Sequence, residues 1–353
     1  MVARRFSPDV RSGTETVFEA LVREAKQRHD VRLVVGYRDS PSGFPPEAIP
    51  VDLRGKGAGA WAAVAFAAAR EARDFRPDVV LSNSIEVRVP GVPTVTIVHD
   101  LNFGKPGSES LRDTVGTRAR KAFYRVQANG LAGVIAVSRH THDRLVEIGV
   151  SPDRIHILPN GVDLARFGGP RRTPDGTVRF VHVSRILPGK GQHASIDALG
   201  RTRPDQRTNL HITIVGTVVD RIYADQLRVQ AFKLPVDFHF DVADVAPYYA
   251  AADVALFPTL MEEGFGYSAV DAMAAGLPVI YYDQPAVREA TGGLAIPVPR
   301  DDAAALKDAM LRLVADPAQR ERLSEAGRAF VQRYRWEDVW RAYESVLSGV
   351  ARR

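Results

Sequence analysis

Short apolar runs alternate along this chain with longer amphipathic segments, and the alternation repeats twice. In the first half, Val31–Val35, Val79–Ser82, Thr94–Val98, Val134–Val137 and Ile155–Leu158 read as buried strands. Between them, Thr14–Arg28, Ala60–Asp74, Leu111–Ala128 and Arg139–Ile148 carry apolar residues at helical spacing. The second half begins its own series with strands Arg179–Val183, Ile212–Val215, Asp237–Phe240, Val254–Phe257 and Val279–Tyr282. Its helices fall near His193–Leu199, Asp220–Ala231, Val245–Ala250, Gly266–Ala275 and Ala303–Val314. Strands that alternate with helices predict parallel α/β sheets. A last helix, from Trp336 on, sets Trp336, Val339, Trp340, Tyr343, Val346 and Leu347 along one face, a stripe that must be buried. Met1–Phe6 is a poor first strand: either it is short, or the numbering starts inside a longer one.

A length of 353 residues suits two domains better than one core. The Gly/Pro-rich stretch Gly168–Gly176 reads as the connection. The expected organisation is a first Rossmann-like domain over 1–167, a linker over 168–177, a second Rossmann-like domain over 178–335, and a C-terminal helix over 336–353 that returns to the first domain. Ligands of open α/β sheets bind at the carboxyl ends of the strands, so the cleft between two such domains is the expected site.

Composition narrows the chemistry. There is no cysteine, which excludes disulfides, thiol nucleophiles and cysteine metal sites. The net charge of +5 lies wholly in residues 1–168, with 24 Lys+Arg against 19 Asp+Glu. That excess can draw an anionic acceptor or an acidic membrane surface, or it is simply an arginine-rich exterior. The basic segment Arg112–Arg125, expected to bury Val115, Ala119, Ala122, Phe123 and Val126, fits either a solvated face or a membrane contact. The start has no apolar signal core, and Ala58–Ala69 is too short to span a bilayer. A cytoplasmic protein is expected, with the inner membrane face as a second place for it.

The run Pro258–Pro278 carries the most chemistry. Gly264 and Gly266 let backbone approach a ligand, and the start of the helix after them offers N–H groups to a diphosphate. Glu263 and Asp271 bracket that point, and carboxylates accept hydrogen bonds from sugar hydroxyls. Phe265, Tyr267 and Ser268 lie between them. Arg185 ends a strand and Lys190 follows a Pro-Gly turn, a fork and a point charge suited to a diphosphate. Gly216–Val219 and Asp241–Val242, Val242 included, are candidates for holding the base.

Arg185…Lys190-Gly191, Glu263-Gly-Phe-Gly, Asp271-Ala-Met-Ala-Ala-Gly and Pro159-Asn-Gly-Val-Asp163 together resemble the retaining GT-B-fold glycosyltransferases, more narrowly the glycosyltransferase 4 family (group 1 glycosyltransferases). The resemblance implies two Rossmann-like domains facing each other across a cleft, and transfer of a sugar from a nucleotide donor with retention at the anomeric carbon. It implies that Arg185 and Lys190 hold the diphosphate and Glu263 the sugar hydroxyls. The resemblance also implies that the backbone at Phe265–Tyr267 meets sugar and phosphate. The family's second glutamate, which binds the ribose, is Asp271 here. In this family a histidine placed like His99 approaches the donor sugar; Asp100 beside it is either a general base or a partner of His99. Gly13, in Arg11-Ser-Gly-Thr-Glu15, stands where the family has a glycine-rich loop; a plain helix cap through Ser12 or Thr14 explains it equally.

No Asp-x-Asp pair, Walker pattern or dinucleotide glycine set occurs, and no clustered His/Asp/Glu spacing suggests a metal site. No metal and no cofactor are therefore expected. The partners are a nucleotide sugar and a hydroxyl acceptor, a glycan, lipid-linked or small molecule, with no nucleic acid. A GT-B-fold epimerase and a non-catalytic nucleotide-sugar-binding protein are the alternatives.

Overall fold

The computed structural model describes residues 1–3, 13–38, 44–45, 47–101, 111–169, 172–173 and 175–352. The chain forms two compact units, Met1–Gly161 with Trp336–Arg353, and Val162–Arg335.

In the first unit the described strands are β1 (Val2–Ala3), β2 (Leu33–Tyr37), β3 (Ala48–Asp52), β4 (Val80–Ser82), β5 (Thr94–Val98), β6 (Gly133–Ala136) and β7 (Ile155–Ile157). They pair in parallel in the order β3-β2-β1-β4-β5-β6-β7. The second unit holds β8 (Val178–Val183), β9 (Leu210–Gly216), β10 (Val236–Phe240), β11 (Val254–Phe257), β12 (Val279–Tyr282) and β13 (Ile296–Val298). Their order is β10-β9-β8-β11-β12-β13, again all parallel. Each sheet has the doubly wound Rossmann arrangement, in which chain order reverses beside the first strand. Helices cover both faces, so the strands read as near-continuous apolar runs. Phe180, Ile212, Ile214, Val254, Leu256 and Ile280 form the centre of the second core, closed by Leu227, Leu306 and Met310 from the helices.

Two strands escape a reading of the sequence, β3 and β13, and both contain a proline (Pro50, Pro297). Proline removes a ladder donor and marks a break, yet an edge strand tolerates it. Both are edges of their sheets. The first strand is present, with Val2 and Ala3 paired to Val34 and Val35; residues 4–12 lie outside the described part.

The helix Leu111–Asn129 corrects an expectation. Ala119, Ala122, Phe123 and Val126, four of the five read as its buried side, are exposed, Val126 at 65%; the side chain of the fifth, Val115, lies outside the described residues. The inner face is instead Thr117, Lys121, Tyr124 and Ala128. The spacing is helical in both cases, but Ala128 and Leu131, packed against Leu145 and Val134, fix the phase. Alanines on two faces carry too little apolar contrast to set it.

The C-terminal helix Trp336–Ala351 buries Trp336, Val339, Trp340, Tyr343, Leu347 and Val350, and packs on the helix Gly13–Lys26. The described part of the Gly168–Gly176 stretch is tied to the second unit: Arg172 Nη2 donates to Asp253 Oδ2 at 2.7 Å. Among the described residues no helix is long and apolar enough to cross a membrane.

Gly191 is fixed by geometry. Its φ is +75°, and a Cβ there would strike the Pro258 carbonyl oxygen. Both effects act on rigid backbone, so Gly191→Ala should cost about 2–4 kcal/mol. Urea denaturation followed by circular dichroism measures this; an unchanged midpoint would show that the turn is free to adjust.

Candidate functional site

β8 pairs with β9 on one side and β11 on the other, so the reversal of strand order in the second unit falls between β8 and β11. Loops leaving two such strands diverge and open a crevice at their carboxyl ends. The segment after β8 runs through Arg185 to Lys190, and the segment after β11 through Thr259 to Gly266.

Backbone bonds stitch the two segments together. The Gly189 carbonyl accepts from Leu260 N at 2.9 Å and from Met261 N at 3.0 Å. Lys190 Nζ donates to Glu263 Oε1 at 2.5 Å, and both side chains are largely enclosed, 13% and 15% exposed. Thr259 Oγ1 lies 3.0 Å from the same carboxylate oxygen. Its one proton serves the charged acceptor, since hydrogen bonds to ions are the stronger. Among the described residues Glu263 Oε2 takes no hydrogen bond, so this oxygen is the one available to a ligand.

Gln284 holds this arrangement from below. It follows β12 and starts the helix Pro285–Ala290. Its Nε2 donates to the Thr259 carbonyl at 2.8 Å, and its Oε1 accepts from Glu263 N at 3.1 Å. One buried amide thus fixes the backbone at both ends of the Thr259–Glu263 turn. Nothing in the sequence pointed to it beyond a helix start before a proline.

A second buried network supports the Arg185 segment. His182 Nδ1 is 2.9 Å from Ser195 Oγ, and its Nε2 is 3.1 Å from Ser184 Oγ. Gln192 Nε2 donates to Ser184 Oγ and to the Arg185 carbonyl, both at 2.8 Å. Burial, aided by the charge of Lys190, pushes the His182 imidazole down to about 3, so it is neutral and adds no charge beneath the site. The Arg185 side chain above is exposed. The proposed base loops join this segment directly. Ile186 N donates to the Thr217 carbonyl at 2.8 Å, and Asp241 Oδ1 accepts from Val218 N at 2.9 Å. At Gly216 a Cβ would meet the Ser184 carbonyl. Val242 follows, half-buried.

The helix Tyr267–Ala274 begins at Gly266, whose φ of +84° suits glycine, with no side chain capping the start. Gly264 is buried. Phe265 is buried edge-on against Tyr334, ring centroids 5.4 Å apart, so its side chain serves packing. Ser268 gives its carbonyl to Tyr249 Oη at 3.2 Å. One helical turn on, Asp271 Oδ1 is buried without a hydrogen-bond partner. Burial pushes this carboxyl up to about 8; the Arg166 charge opposes the shift and Asp163 adds to it. A buried acceptor lacking a donor is what a diol would satisfy.

His99 and Asp100 follow β5 in the other unit. His99 Nε2 is buried without a partner, and burial pushes the imidazole down to about 4. Asp100 is exposed. Gly13 opens the helix Gly13–Lys26, while Arg11 and Ser12 lie outside the described residues. Lys190 and Glu263 therefore meet at the strand-order reversal of the second unit; Gly264 and Gly266 lie in the segment that follows β11, Asp271 on the helix after it, and Arg185 is exposed. Among the described residues no group of three His, Asp or Glu is placed to hold a metal ion.

Residues 177–316 match the family described as Glycosyl transferases group 1, and residues 11–166 match Glycosyltransferase Family 4. The chain belongs to the family 4, group 1 glycosyltransferases. Among its relatives in this family, a phosphatidyl-myo-inositol mannosyltransferase of Mycobacterium tuberculosis is 34% identical, over 63% of this chain and 62% of the relative. The match thus spans less than two thirds of that protein's length. A D-inositol 3-phosphate glycosyltransferase of Jonesia denitrificans is 28% identical over 72% of this chain and 66% of its own. HepE of Anabaena, solved in complex with UDP, superposes with a TM-score of 0.79 at 20% identity, covering 98% of both chains. WaaG, a glycosyltransferase involved in lipopolysaccharide biosynthesis, gives 0.74 at 19% identity over 99% and 98%. These likenesses establish the GT-B fold.

Asp271 generates a test with a definite sign. Its pKa in the fold, about 8, lies above its ordinary value of 3.8, so the native state holds a proton that the unfolded chain loses. Stability therefore falls as pH rises from about 4, and the penalty is complete above about 8. Asp271→Asn should raise the melting temperature, most at pH 8 and not at all near pH 4. A gain equal at both pH values would reject this account of the carboxyl.

Proposed function

We propose that this protein transfers a sugar from a nucleoside diphosphate sugar to a hydroxyl acceptor, with retention and without a metal ion. The observation that carries the reading is the enclosed Lys190–Glu263 contact at the strand-order reversal of the second unit. A donor diphosphate binding there takes the ammonium as counter-ion, and Glu263 accepts hydrogen bonds from the sugar through Oε2. Charge that builds on the departing diphosphate is then met by Lys190 and Arg185, already positioned, which is the most effective electrostatic arrangement. Asp271 is the acceptor for the ribose hydroxyls.

In a retaining displacement on this scaffold, the leaving phosphate oxygen takes the acceptor's proton as the acceptor oxygen bonds to the anomeric carbon on the same face. No protein base is then required. A neutral His99 can give or accept a hydrogen bond without adding charge. Cations at 185 and 190 do the work that a metal does elsewhere.

For the acceptor, two of the relatives are named for inositol phosphates, one of them lipid-linked. The excess positive charge of residues 1–168 agrees with an anionic polyol. A lipid-linked acceptor would bring the protein to the inner membrane face. The donor base is not selected by these features; solved neighbours carry UDP or UDP-glucose.

Release of nucleoside diphosphate should require donor and acceptor together and persist in EDTA. Glu263→Gln and Lys190→Ala should each lower kcat/KM by at least about 100-fold, the scale of one lost transition-state donor or positioning contact. Turnover near wild type in either variant removes the assignment. Donor binding without release under any acceptor would instead mark a nucleotide-sugar-binding protein.

A further inference from the structure

A different kind of surface lies on the second unit. The helix Arg221–Gln230 buries Tyr223, Ala224 and Leu227 against the core. It turns Ile222 and Val229 outward, 74% and 77% exposed. Val219 just before the helix and Phe232 just after it are 59% and 74% exposed. Residues three, four and seven apart share one helix face, so Ile222, Gln226 and Val229 form a stripe that Val219 and Phe232 extend at its ends. A shallow depression of about 490 Å³, lined by Ile222, Asp225, Gln226, Val229 and Gln230, runs along it. A single exposed apolar side chain is ordinary; four large ones in one stripe mark a contact surface.

The order of residues names the partner. Ile222 and Val229 stand equally far from the Asp225–Gln226 peptide, and so do Val219 and Phe232. The stripe is a palindrome about that point. A two-fold axis through it lays two such helices antiparallel, and each apolar residue then meets an apolar one. Ile222 packs on Val229 of the second copy, and Val219 on its Phe232. At the centre Asp225 meets Gln226 of the second copy, whose amide donates to the carboxylate. An isologous interface pairs residue i with j and j with i, and this stripe satisfies that condition within one chain. The segment from Asp220 to Lys233 has three cations against two carboxylates, a small excess, and its centre is the carboxylate of Asp225, 2.7 Å from Arg228, so the feature that selects the occupant is the symmetry of the stripe.

We propose that the protein self-associates as a two-fold dimer through the helix Arg221–Gln230. The helix has 10 residues. That is about 15 Å of contact, at the small end of specific interfaces, so a micromolar dimer is expected.

Sedimentation velocity across the micromolar range tests this. The wild type should shift from monomer to dimer as concentration rises. Ile222→Glu and Val229→Lys should each remain monomeric, with melting temperatures close to wild type because both side chains are exposed. An equimolar mixture of these two variants should regain the dimer, because position 222 of one faces position 229 of the other. The natural chain has no cysteine, so Gln226→Cys, close to the axis, gives a clean second readout: a disulfide-linked dimer on oxidation. A wild type that stays monomeric throughout overturns the proposal. So do dimers that survive both substitutions, or a mixture that stays monomeric.

Discussion

The contact between Lys190 and Glu263 is the constraint that organises the rest of the second unit. Neither residue has a fixed position in its own segment. The PGK turn is a single 3-10 turn, and Thr259–Gly266 contains no helix or strand. They meet because the Gly189 carbonyl accepts from two consecutive amides of the other segment, and because Gln284 clamps both ends of the Thr259–Glu263 turn. A pair of enclosed charges of opposite sign contributes little net stability, because desolvation offsets most of the attraction. Its value is positional: it holds a cation and a carboxylate side by side at the strand-order reversal.

Much of this was legible in the sequence, for identifiable reasons. Strands such as Thr94–Val98, Val254–Phe257 and Val279–Tyr282 are buried on both faces, so their apolar runs stand out and their limits are those observed. β3 and β13 were hidden because a sheet edge tolerates a proline that the interior would reject. The phase of the helix Leu111–Asn129 was hidden because alanine on two faces leaves the burial choice to Ala128 and its tertiary neighbours. The same distinction applies to the site. Lys190, Glu263 and Asp271 are charged residues among glycines, and they announce themselves. Gln284, Thr259 and the His182–Ser195–Ser184–Gln192 network act through hydrogen bonds to groups distant in the chain, which no local pattern encodes.

His99 and His182 show how similar environments serve different ends. Burial pushes both imidazoles well below their ordinary value. His182 has a serine hydroxyl at each ring nitrogen, so it is a satisfied structural residue. His99 leaves Nε2 buried without a partner. A strand-end histidine satisfied by backbone would not look like this, and the orphaned nitrogen is the physical difference between packing and availability.

Asp271 carries the same reasoning to its energetic conclusion. A fold optimised only for stability would place an amide or an apolar group there, because a carboxyl with no donor at Oδ1 is costly to bury. Glutamate, with one more methylene, could reach farther along the crevice; aspartate draws the carboxyl back toward Tyr249, Arg166 and Asp163. Arg166 is already engaged by Asp244 at 2.6 Å, so it tempers the carboxyl's charge without bonding to it. The protein thus keeps a proton where a ligand's hydroxyls would otherwise be. Local inconsistencies of this kind concentrate at functional sites, where the missing partner arrives with the substrate. On the proposed function, the donor that Asp271 Oδ1 lacks in the fold is supplied by the hydroxyls of the bound nucleotide.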